Sequence, residues 1–257
     1  MNLLLVDNSN RTTKLAVGDA QRVLPDSRQD SASASLSPEV LDRMLAAGPE
    51  VAGMVFCSVT ADGAHLLTAW ANARGLPSLE LGARTVPMDL SHYPVPETIG
   101  ADRLANAVAA NARFPRSAVI AVDAGTAITF NVVVPDLLYP RFLGGAIAPG
   151  LAAFTSWLHT RTARLPEIVF PESPVPAIGD GTIAAMQSAA RHGLTGFLRE
   201  ILRAQQAECG AAEIVLTGTD AVLLAPMLGQ SVTIEPMLTL DGLRISGILH
   251  PSAFRSC

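Results

Sequence analysis

The sequence predicts an α/β protein made of two related halves, and two observations lead to this fold class. First, β-rich stretches alternate with helical patterns along the 257 residues, as in a parallel or mixed sheet that helices cover on both faces. Second, segments 3–17 (LLLVDNSNRTTKLAV) and 119–133 (VIAVDAGTAITFNVV) share four residues when Asp7 is aligned with Asp123. Each reads as a strand, an aspartate, a small polar turn and a second strand. We interpret this similarity as a duplication, although so short a pattern also arises by chance.

The first half continues from its hairpin with helices and strands in alternation. The predicted helices span 37–47, 64–74 and 101–113, and the predicted strands span 51–59 and 79–86. Ser37 and Pro38 are typical of a helix start, and Gly75 and Pro115 of the region after a helix end. The serine-rich segment 27–37 is expected to be a mobile loop.

The second half begins at Ser117 and repeats this plan. After the hairpin, the glycine-rich segment 144–151 (GGAIAPGL) is predicted to be a loop that leads into a helix ending near Thr160. A proline-rich link, a long helix, a strand, and a strand that turns into a closing helix are expected at 166–176, 182–206, 214–217 and 238–250. We therefore predict two domains, residues 1–115 and 116–257.

The composition excludes several classes of protein. With 49% hydrophobic and 16% charged residues in 26.8 kDa, the chain can build a core and is not intrinsically disordered. A net charge of −5 and the lack of any run of basic residues argue against a nucleic-acid partner. Asp123 and other polar residues interrupt the apolar segment 117–134, so we expect no membrane span.

The N-terminus and the cysteines indicate a cytoplasmic protein. The apolar stretch at residues 3–6 is short and follows no basic residue, unlike the core of a signal peptide. Cys57, Cys209 and Cys257 are odd in number and far apart, which favours reduced thiols over a disulfide framework or a zinc site.

Two common nucleotide-binding motifs are excluded. The one lysine of the chain, Lys14, is followed by leucine and preceded by no glycine-rich loop, so it does not belong to a P-loop. The segment 179–184 (GDGTIA) matches the glycine pattern of a dinucleotide-binding fingerprint. That motif must follow a strand, whereas this segment follows a proline-rich stretch.

The two hairpins carry the first candidate site. Asp7 ends a strand and is followed by small polar residues whose backbone N–H groups can cradle a phosphate, with the carboxylate beside a hydrated Mg²⁺. The simpler interpretation is that aspartate and asparagine favour turns. The sequence DAGT at 123–126 repeats the arrangement, and two carboxylates that face each other across a cleft need a cation or a shared proton.

The sequence GADR at 100–103 precedes a predicted helix and carries the second candidate site. Asp102 is either the N-cap of that helix or a general base, and Arg103 is either a surface charge or a planar fork for an anionic substrate. The residues alone favour neither interpretation.

Four motifs in order resemble the type III pantothenate kinases, members of the acetate and sugar kinase/Hsp70/actin superfamily. They are Asp7-x-x-Asn10-x-x-x-Lys14, Gly100-Ala-Asp-Arg103, Asp123-Ala-Gly-Thr-Ala127 and Gly144-Gly-x-Ile-x-Pro-Gly150. The similarity covers nearly the whole chain. It implies two duplicated RNase H-like (actin-like ATPase) domains with an interdomain cleft, and transfer of the ATP γ-phosphate to pantothenate, the first step of coenzyme A biosynthesis.

The resemblance also implies roles for individual residues. It implies that ATP is bound by Asp7, Asn8, Ser9, Asn10, Arg11, Thr12, Thr13, Lys14 and Thr126. It places Tyr93, Gly100, Ala101, Asp102, Arg103 and Thr182 at pantothenate, with Asp102 as the catalytic proton acceptor and Thr182 supplied by the partner of a homodimer. Mg²⁺ is expected with ATP, and Asp123 is expected to coordinate a monovalent cation, K⁺ or NH₄⁺.

The chain departs from the family pattern in the first motif. The family loop is usually D-x-G-N-[ST]-x-x-K, whereas this chain has Ser9 in place of the glycine and Arg11 in place of the hydroxyl residue. Two alternatives therefore accompany the kinase hypothesis. One is a catalytically impaired regulatory or binding homologue on the same scaffold, and the other is a kinase of another small hydroxyl or carboxyl substrate.

Overall fold

The computed structural model describes residues 1–254, with the side chain of Ala47 left aside. This part of the chain forms two compact units. The first unit comprises residues 1–116 and 133–143 together with the chain from Met237 onward, and the second comprises 117–132 and 144–236. The units are thus discontinuous in sequence, whereas the predicted domains are continuous; the predicted boundary at Pro115 stays a prediction.

The first five-stranded sheet has the order β3-β2-β1-β4-β5. Its strands are β1 (Leu3–Asn8), β2 (Thr12–Gly18), β3 (Gln29–Ala32), β4 (Gly53–Ser58) and β5 (Ser78–Glu80). The predicted hairpin is present, because β1 pairs antiparallel with β2. On its other side β1 pairs parallel with β4, so the ends of these two strands lie at the same edge of the sheet.

The second sheet repeats this order. Its strands are β6 (Ala118–Ala124), β7 (Ala127–Val134), β8 (Arg141–Pro149), β9 (Ala212–Thr217) and β10 (Thr233–Ile234). Read as β8-β7-β6-β9-β10, each strand takes the place of its counterpart in the first sheet. The central strand β6 pairs parallel with β9, as β1 does with β4. The shared strand order supports the duplication inferred from the sequence.

Seven helices accompany the sheets in residues 1–254. They are α1 (Pro38–Ala47), α2 (Ala61–Ala73), α3 (Ala101–Arg113), α4 (Leu151–Arg161), α5 (Thr182–Cys209), α6 (Ala221–Leu224) and α7 (Leu238–Leu249). The helices predicted at 37–47, 64–74, 101–113 and 182–206 are confirmed as α1, α2, α3 and α5. None of the seven is both long and apolar enough to cross a bilayer.

Helices cover both faces of the first sheet. Alternate residues of a strand point to opposite faces, and in β1 Leu4 and Val6 pack with residues of α1 and α2. Leu3 and Leu5 point the other way and pack with residues of α3 and α7. The continuous apolar run at the start of the chain therefore belongs to a strand that is buried on both faces.

The C-terminal element differs from its prediction. Residues 238–250 are predicted to begin as a strand, but α7 is helical from Leu238 onward. Short apolar runs do not distinguish a buried helix from a strand. Gly242 and Gly247 lie where this helix approaches Ala105 of α3 and Leu3 of β1, so close packing explains the glycines.

The glycine-rich segment predicted as a loop is also regular structure. Gly144 and Gly145 belong to β8 and have φ values of 108° and 154°. A Cβ on Gly145 would lie 2.7 Å from the carbonyl carbon of Phe130 in β7. Glycine in a strand often marks such a close approach of two backbones.

Two further predictions change in extent. The serine-rich segment 27–37, predicted as a loop, contains the edge strand β3, in which Ser31 pairs with Thr13 of β2. The polar residues of this segment do not indicate a strand, which forms because it pairs with β2. The strand predicted at 79–86 is limited to β5, because Thr85 accepts a hydrogen bond from the N–H of Gly82 and closes a turn.

We expect Gly242→Ala to lower the free energy of unfolding by about 1–3 kcal/mol, the usual cost of an extra methyl group in a packed contact. The new Cβ would lie 2.9 Å from Ala105 Cα, and nearer still to the Ala105 carbonyl. Urea denaturation followed by circular dichroism measures the change.

Gly196→Ala in α5 is the matched control, because a Cβ there meets nothing within 4 Å. Alanine should raise the free energy of unfolding at this helix position by about 0.5–1 kcal/mol. If both substitutions had the same effect, the packing of α7 against α3 would not explain Gly242.

Candidate functional site

The predicted site residues fall into two groups, one in each compact unit. The first unit holds the hairpin residues 7–14, Tyr93 and the segment 100–103, and the second holds Asp123, Thr126 and Thr182. The two groups are described separately.

Asp7 is the centre of the first group. It is 1% exposed and lies next to last in β1, paired with Lys14 of β2 on one side and Cys57 of β4 on the other. Lys14 Nζ donates to Asp7 Oδ2 at 3.0 Å. Ser9 Oγ and Cys57 Sγ donate to Asp7 Oδ1 at 3.1 and 3.6 Å. A buried carboxylate needs such partners, and both neighbouring strands and the turn supply them.

Asn8, the next residue, joins β1 to the end of β4. Its Nδ2 donates to Ser58 Oγ at 2.9 Å, and its Oδ1 accepts from Thr13 Oγ1 at 2.8 Å. The third residue of α2, Gly63, lies against this amide, because a Cβ there would collide with Asn8 Nδ2 and lie 2.7 Å from Ser58 Oγ. The first turn of α2 is therefore packed directly onto the hairpin.

The turn between β1 and β2 leaves two backbone donors available. The Ser9 N–H donates to the Thr12 carbonyl at 3.2 Å, and the carbonyls of Ser9 and Arg11 accept hydrogen bonds from Ser33. Among the hydrogen bonds of residues 1–254, none uses the N–H of Asn10 or Arg11. Both residues are exposed. Successive backbone N–H groups of this kind can bind an anion.

Asp102 is the second residue of α3, whose N-cap is Gly100. The interpretation of Asp102 as the N-cap is therefore wrong. Its Oδ1 accepts from the N–H of Arg103 at 2.8 Å. Burial raises the pKa of Asp102 above its ordinary value, and the negative charge of Asp7 raises it further, against the opposing effects of Arg103 and Lys14.

Cys57 is fully buried beside Asp7. Burial raises the pKa of its thiol well above the ordinary value, and the charges of Asp7 and Asp102 add to the effect. The thiol is thus neutral and acts as a donor to Asp7. Cys57 and Cys209 are free thiols, as predicted, and Cys257 lies outside the described residues.

Arg103 and Tyr93 meet at Phe142 of β8. The Arg103 guanidinium lies 5.7 Å from the centre of the Phe142 ring, and Tyr93 packs on the same ring at 6.3 Å between centroids. The segment that carries Tyr93 is held to β8, because the N–H of Phe142 donates to the Asp89 carbonyl and Arg141 Nε donates to Asp89 Oδ2. The Phe142 ring thus contacts the one basic side chain of the GADR segment, and Tyr93 packs on the same ring.

In the second unit, Asp123 of β6 has the strand position that Asp7 has in β1, next to the end of the parallel strand β9. A Cβ on Gly218, whose φ is 97°, would lie 2.6 Å from Asp123 Oδ1, so the glycine allows the backbone to lie close to this carboxylate. Thr126 is exposed in the turn after β6, and Thr182 is the exposed first residue of α5. Residues 1–254 contain no group of three His, Cys, Asp or Glu side chains arranged to hold a metal ion.

Sequence reasoning missed four residues of the first group: Ser33, Cys57, Gly63 and Phe142. A signal existed for Cys57, because the ends of parallel strands meet at one edge of a sheet, where ligands bind in open α/β folds. Ser33, Gly63 and Phe142 lie far in sequence from the site residues that they contact, and they reach them only through tertiary packing.

Comparisons with known proteins agree with the family resemblance of the four sequence motifs. The family described as type III pantothenate kinase matches residues 3–204. The type III pantothenate kinase of Akkermansia muciniphila is 40% identical over 252 residues, which cover 97% of this chain and all of that protein.

Two solved structures share the fold at low identity. A Baf family protein from Campylobacter jejuni aligns with a TM-score of 0.61 at 18% identity, over 97% of this chain and 99% of that one. A ROK family glucokinase from Streptomyces griseus, solved with glucose and AMPPNP, aligns at 0.54 and 14%, over 95% and 98%. The predicted fold class, two duplicated RNase H-like α/β domains, is confirmed.

The raised pKa of Asp102 has a consequence for stability. The ionised Asp102 carboxylate is disfavoured in the folded state and therefore lowers the free energy of unfolding. This destabilisation is absent below the unfolded pKa of about 3.9, and it grows as the pH rises from there through the folded pKa. We expect Asp102→Asn to raise the free energy of unfolding relative to wild type at pH 7, with a gain that shrinks towards pH 4. Urea denaturation between pH 4 and pH 8 measures it.

Asp89→Asn is the control of opposite sign. Hydrogen bonds from Ser91 and Arg141 lower the pKa of Asp89 to about 2, so its ionised form stabilises the fold above the unfolded pKa. This variant should be less stable than wild type throughout pH 4 to pH 8, and the deficit should disappear only as the pH falls from about 4 to about 2. A pH-independent difference for Asp102→Asn would contradict the electrostatic description of the site.

Proposed function

The chain belongs to the type III pantothenate kinase family, and from this membership we propose how its residues transfer the γ-phosphoryl group of ATP to the primary hydroxyl of pantothenate. This reaction is the first step of coenzyme A biosynthesis. The observation that carries the assignment of residues is the proximity of two motifs within one unit: Asp102 lies close enough to Asp7 and Lys14 for their charges to shift its pKa. A phosphate-binding turn and a candidate base are thus neighbours.

The turn between β1 and β2 is proposed as the ATP phosphate site. The N–H groups of Asn10 and Arg11 and the ammonium of Lys14 are donors suited to phosphate oxygens. The full proposed set for ATP is Asp7, Asn8, Ser9, Asn10, Arg11, Thr12, Thr13, Lys14 and, from the second unit, Thr126. Ser9 fits the turn, since no residue other than glycine within 1–254 has a positive φ, and its hydroxyl binds Asp7.

Kinases of this kind use ATP with a divalent metal ion, which we propose is Mg²⁺. Bound to the nucleotide, this ion neutralises the charge that develops on the phosphates. Phosphate oxygens and water supply most ligands of such an ion. The residues fit this mode, because the Asp7 carboxylate lies beside the proposed phosphate site.

Asp102 is proposed as the base that accepts the proton of the pantothenate hydroxyl. A carboxylate with a raised pKa is a better proton acceptor near neutral pH. Arg103 is proposed to bind the carboxylate of pantothenate, with Gly100, Ala101 and Tyr93 lining the same site. The raised pKa also implies that activity falls on the acid side at a higher pH than an ordinary aspartate would give.

Asp123 is proposed to coordinate a monovalent cation, K⁺ or NH₄⁺. Gly218 lets the backbone after β9 approach both the Asp123 carboxylate and the Ala124 carbonyl, and these oxygens are ligands suited to a cation. The cation would stabilise negative charge in the second unit.

A homodimer is also proposed, with Thr182 completing the pantothenate site of the partner. Large apolar side chains are exposed on three elements of the second unit: Ile147 of β8, Trp157 of α4 and Ile183 of α5 are 65%, 57% and 54% exposed. Exposed apolar residues of this size in neighbouring elements are typical of an interface. Thr182 begins α5, beside Ile183. We further propose a cytoplasmic protein without nucleic-acid or membrane partners.

A coupled assay of ADP release tests the function with pantothenate, acetate and sugars as acceptors. We expect turnover with pantothenate alone. Turnover with another acceptor only would indicate a different small-molecule kinase, and binding of ATP without any turnover would indicate the regulatory homologue.

In the same assay, Asp102→Asn should lower turnover at saturating substrates by about 10²–10⁴-fold, because asparagine keeps the shape of the side chain but accepts no proton. Titration with Mg–ATP should show unchanged nucleotide binding. Near-wild-type turnover of this variant would remove Asp102 from the mechanism.

We expect light scattering at micromolar concentration to give twice the monomer mass of 26.8 kDa. Trp157→Glu should shift the protein to the monomer and reduce activity, because a buried unpaired charge disfavours association. Val222→Glu on α6, at a residue 73% exposed, is the matched control and should remain dimeric. A fully active wild-type monomer would contradict the proposal.

A further inference from the structure

Ser33 lies outside every motif of the sequence, yet it makes two hydrogen bonds to the β1–β2 turn. It follows the edge strand β3, which pairs with β2 alone. Its Oγ donates to the Ser9 carbonyl at 2.6 Å, and its N–H donates to the Arg11 carbonyl at 2.9 Å. Ser33 thus donates hydrogen bonds to two of the three carbonyl groups in the turn between β1 and β2.

The hydroxyl of Ser33 also belongs to the network around Asn8. Thr13 Oγ1 lies 3.1 Å from Ser33 Oγ and donates to Asn8 Oδ1. Each hydroxyl has one hydrogen to donate. Thr13 donates its hydrogen to Asn8 and Ser33 donates its hydrogen to Ser9, so neither hydroxyl has a second hydrogen to donate to the other. The Ser33 oxygen therefore lies in contact with the buried Thr13 side chain beneath the turn, and its hydrogen bond goes to the turn itself.

The shape of this turn depends on these bonds rather than on glycine. The turn has Ser9, Asn10 and Arg11 between its strands, and none of them has a positive φ. A turn built without glycine is not held by a conformation that only glycine favours. The hydrogen bonds from Ser33 hold the carbonyls of Ser9 and Arg11, and the N–H groups of Asn10 and Arg11 are left available.

We propose that Ser33 is a positioning residue for nucleotide binding: its hydroxyl and N–H fix the turn so that the N–H groups of Asn10 and Arg11 are set for the phosphates. This inference rests on the proposed function of the turn as the ATP site. Ser33 itself touches no substrate in this role.

The test compares Ser33→Ala with Ser31→Ala. Ser31 is the matched control, because it lies two residues away on β3 and its buried Oγ has no hydrogen-bond partner within residues 1–254. We expect Ser33→Ala to raise both the Kd for Mg–ATP and the KM for ATP about tenfold, the effect of losing one hydrogen bond. The kcat and the KM for pantothenate should change less than twofold. Ser31→Ala should match wild type, and Ser33→Thr, which keeps the hydroxyl, should recover most of the loss.

Several results would overturn the inference. These are an unchanged Kd for Mg–ATP in Ser33→Ala, an equal loss in Ser31→Ala, or an equal loss in Ser33→Thr. If Ser33→Ala does not fold, Ser33→Cys replaces it, because a thiol of similar size is a weaker donor. A wild-type protein that binds Mg–ATP but does not phosphorylate pantothenate overturns the proposed function alone, and the binding comparison still decides the role of Ser33. A wild-type protein that does not bind Mg–ATP overturns both.

Discussion

The ion pair between Asp7 and Lys14 is the interaction on which the rest of the first unit's site depends. Both residues come from one hairpin and lie directly opposite each other in its register, with Nζ 3.0 Å from Oδ2. Asp7 is almost completely buried, and a buried ion pair that loses one partner typically costs about 3–5 kcal/mol, because a charge is left uncompensated. The one lysine of the chain therefore allows a carboxylate to exist at this edge of the sheet.

Burial and the charge of Asp7 together determine the state of its neighbours. Burial has the larger effect, and the negative charge of Asp7 adds to it, so that Cys57 stays a neutral thiol that donates to Asp7 and the pKa of Asp102 is raised. A base with a raised pKa is useful for proton transfer and unfavourable for folding. The ionised form of Asp102, the residue proposed for catalysis, therefore destabilises the first unit. Residues of functional sites commonly lower the stability of the fold in this way.

The duplication gives each sheet an aspartate at the same strand position but with different surroundings. In β1 the neighbour on the parallel strand is Cys57, and in β6 it is Thr217. The residue of β7 that aligns with Lys14 is Phe130, which belongs to the core of the second unit. A repeated backbone can therefore serve different chemistry, because the side chains across the hairpin decide which charge accompanies the carboxylate.

The sequence by itself determined the elements with local signals and the residues within the motifs. The hairpin at Asp7, the start of α1 after Ser37 and the start of α3 at Ala101 follow from patterning and turn residues. Only the tertiary structure decided the strand at Gly144–Gly145, the helix at Leu238 and the edge strand that brings Ser33 to Ser9, since each depends on a neighbour distant in the chain. Glycines there are explained by close approach of Phe130 and Ala105, and the pKa of Asp102 by burial beside Asp7. Packing and desolvation act between residues far apart in sequence, so no local pattern contains them.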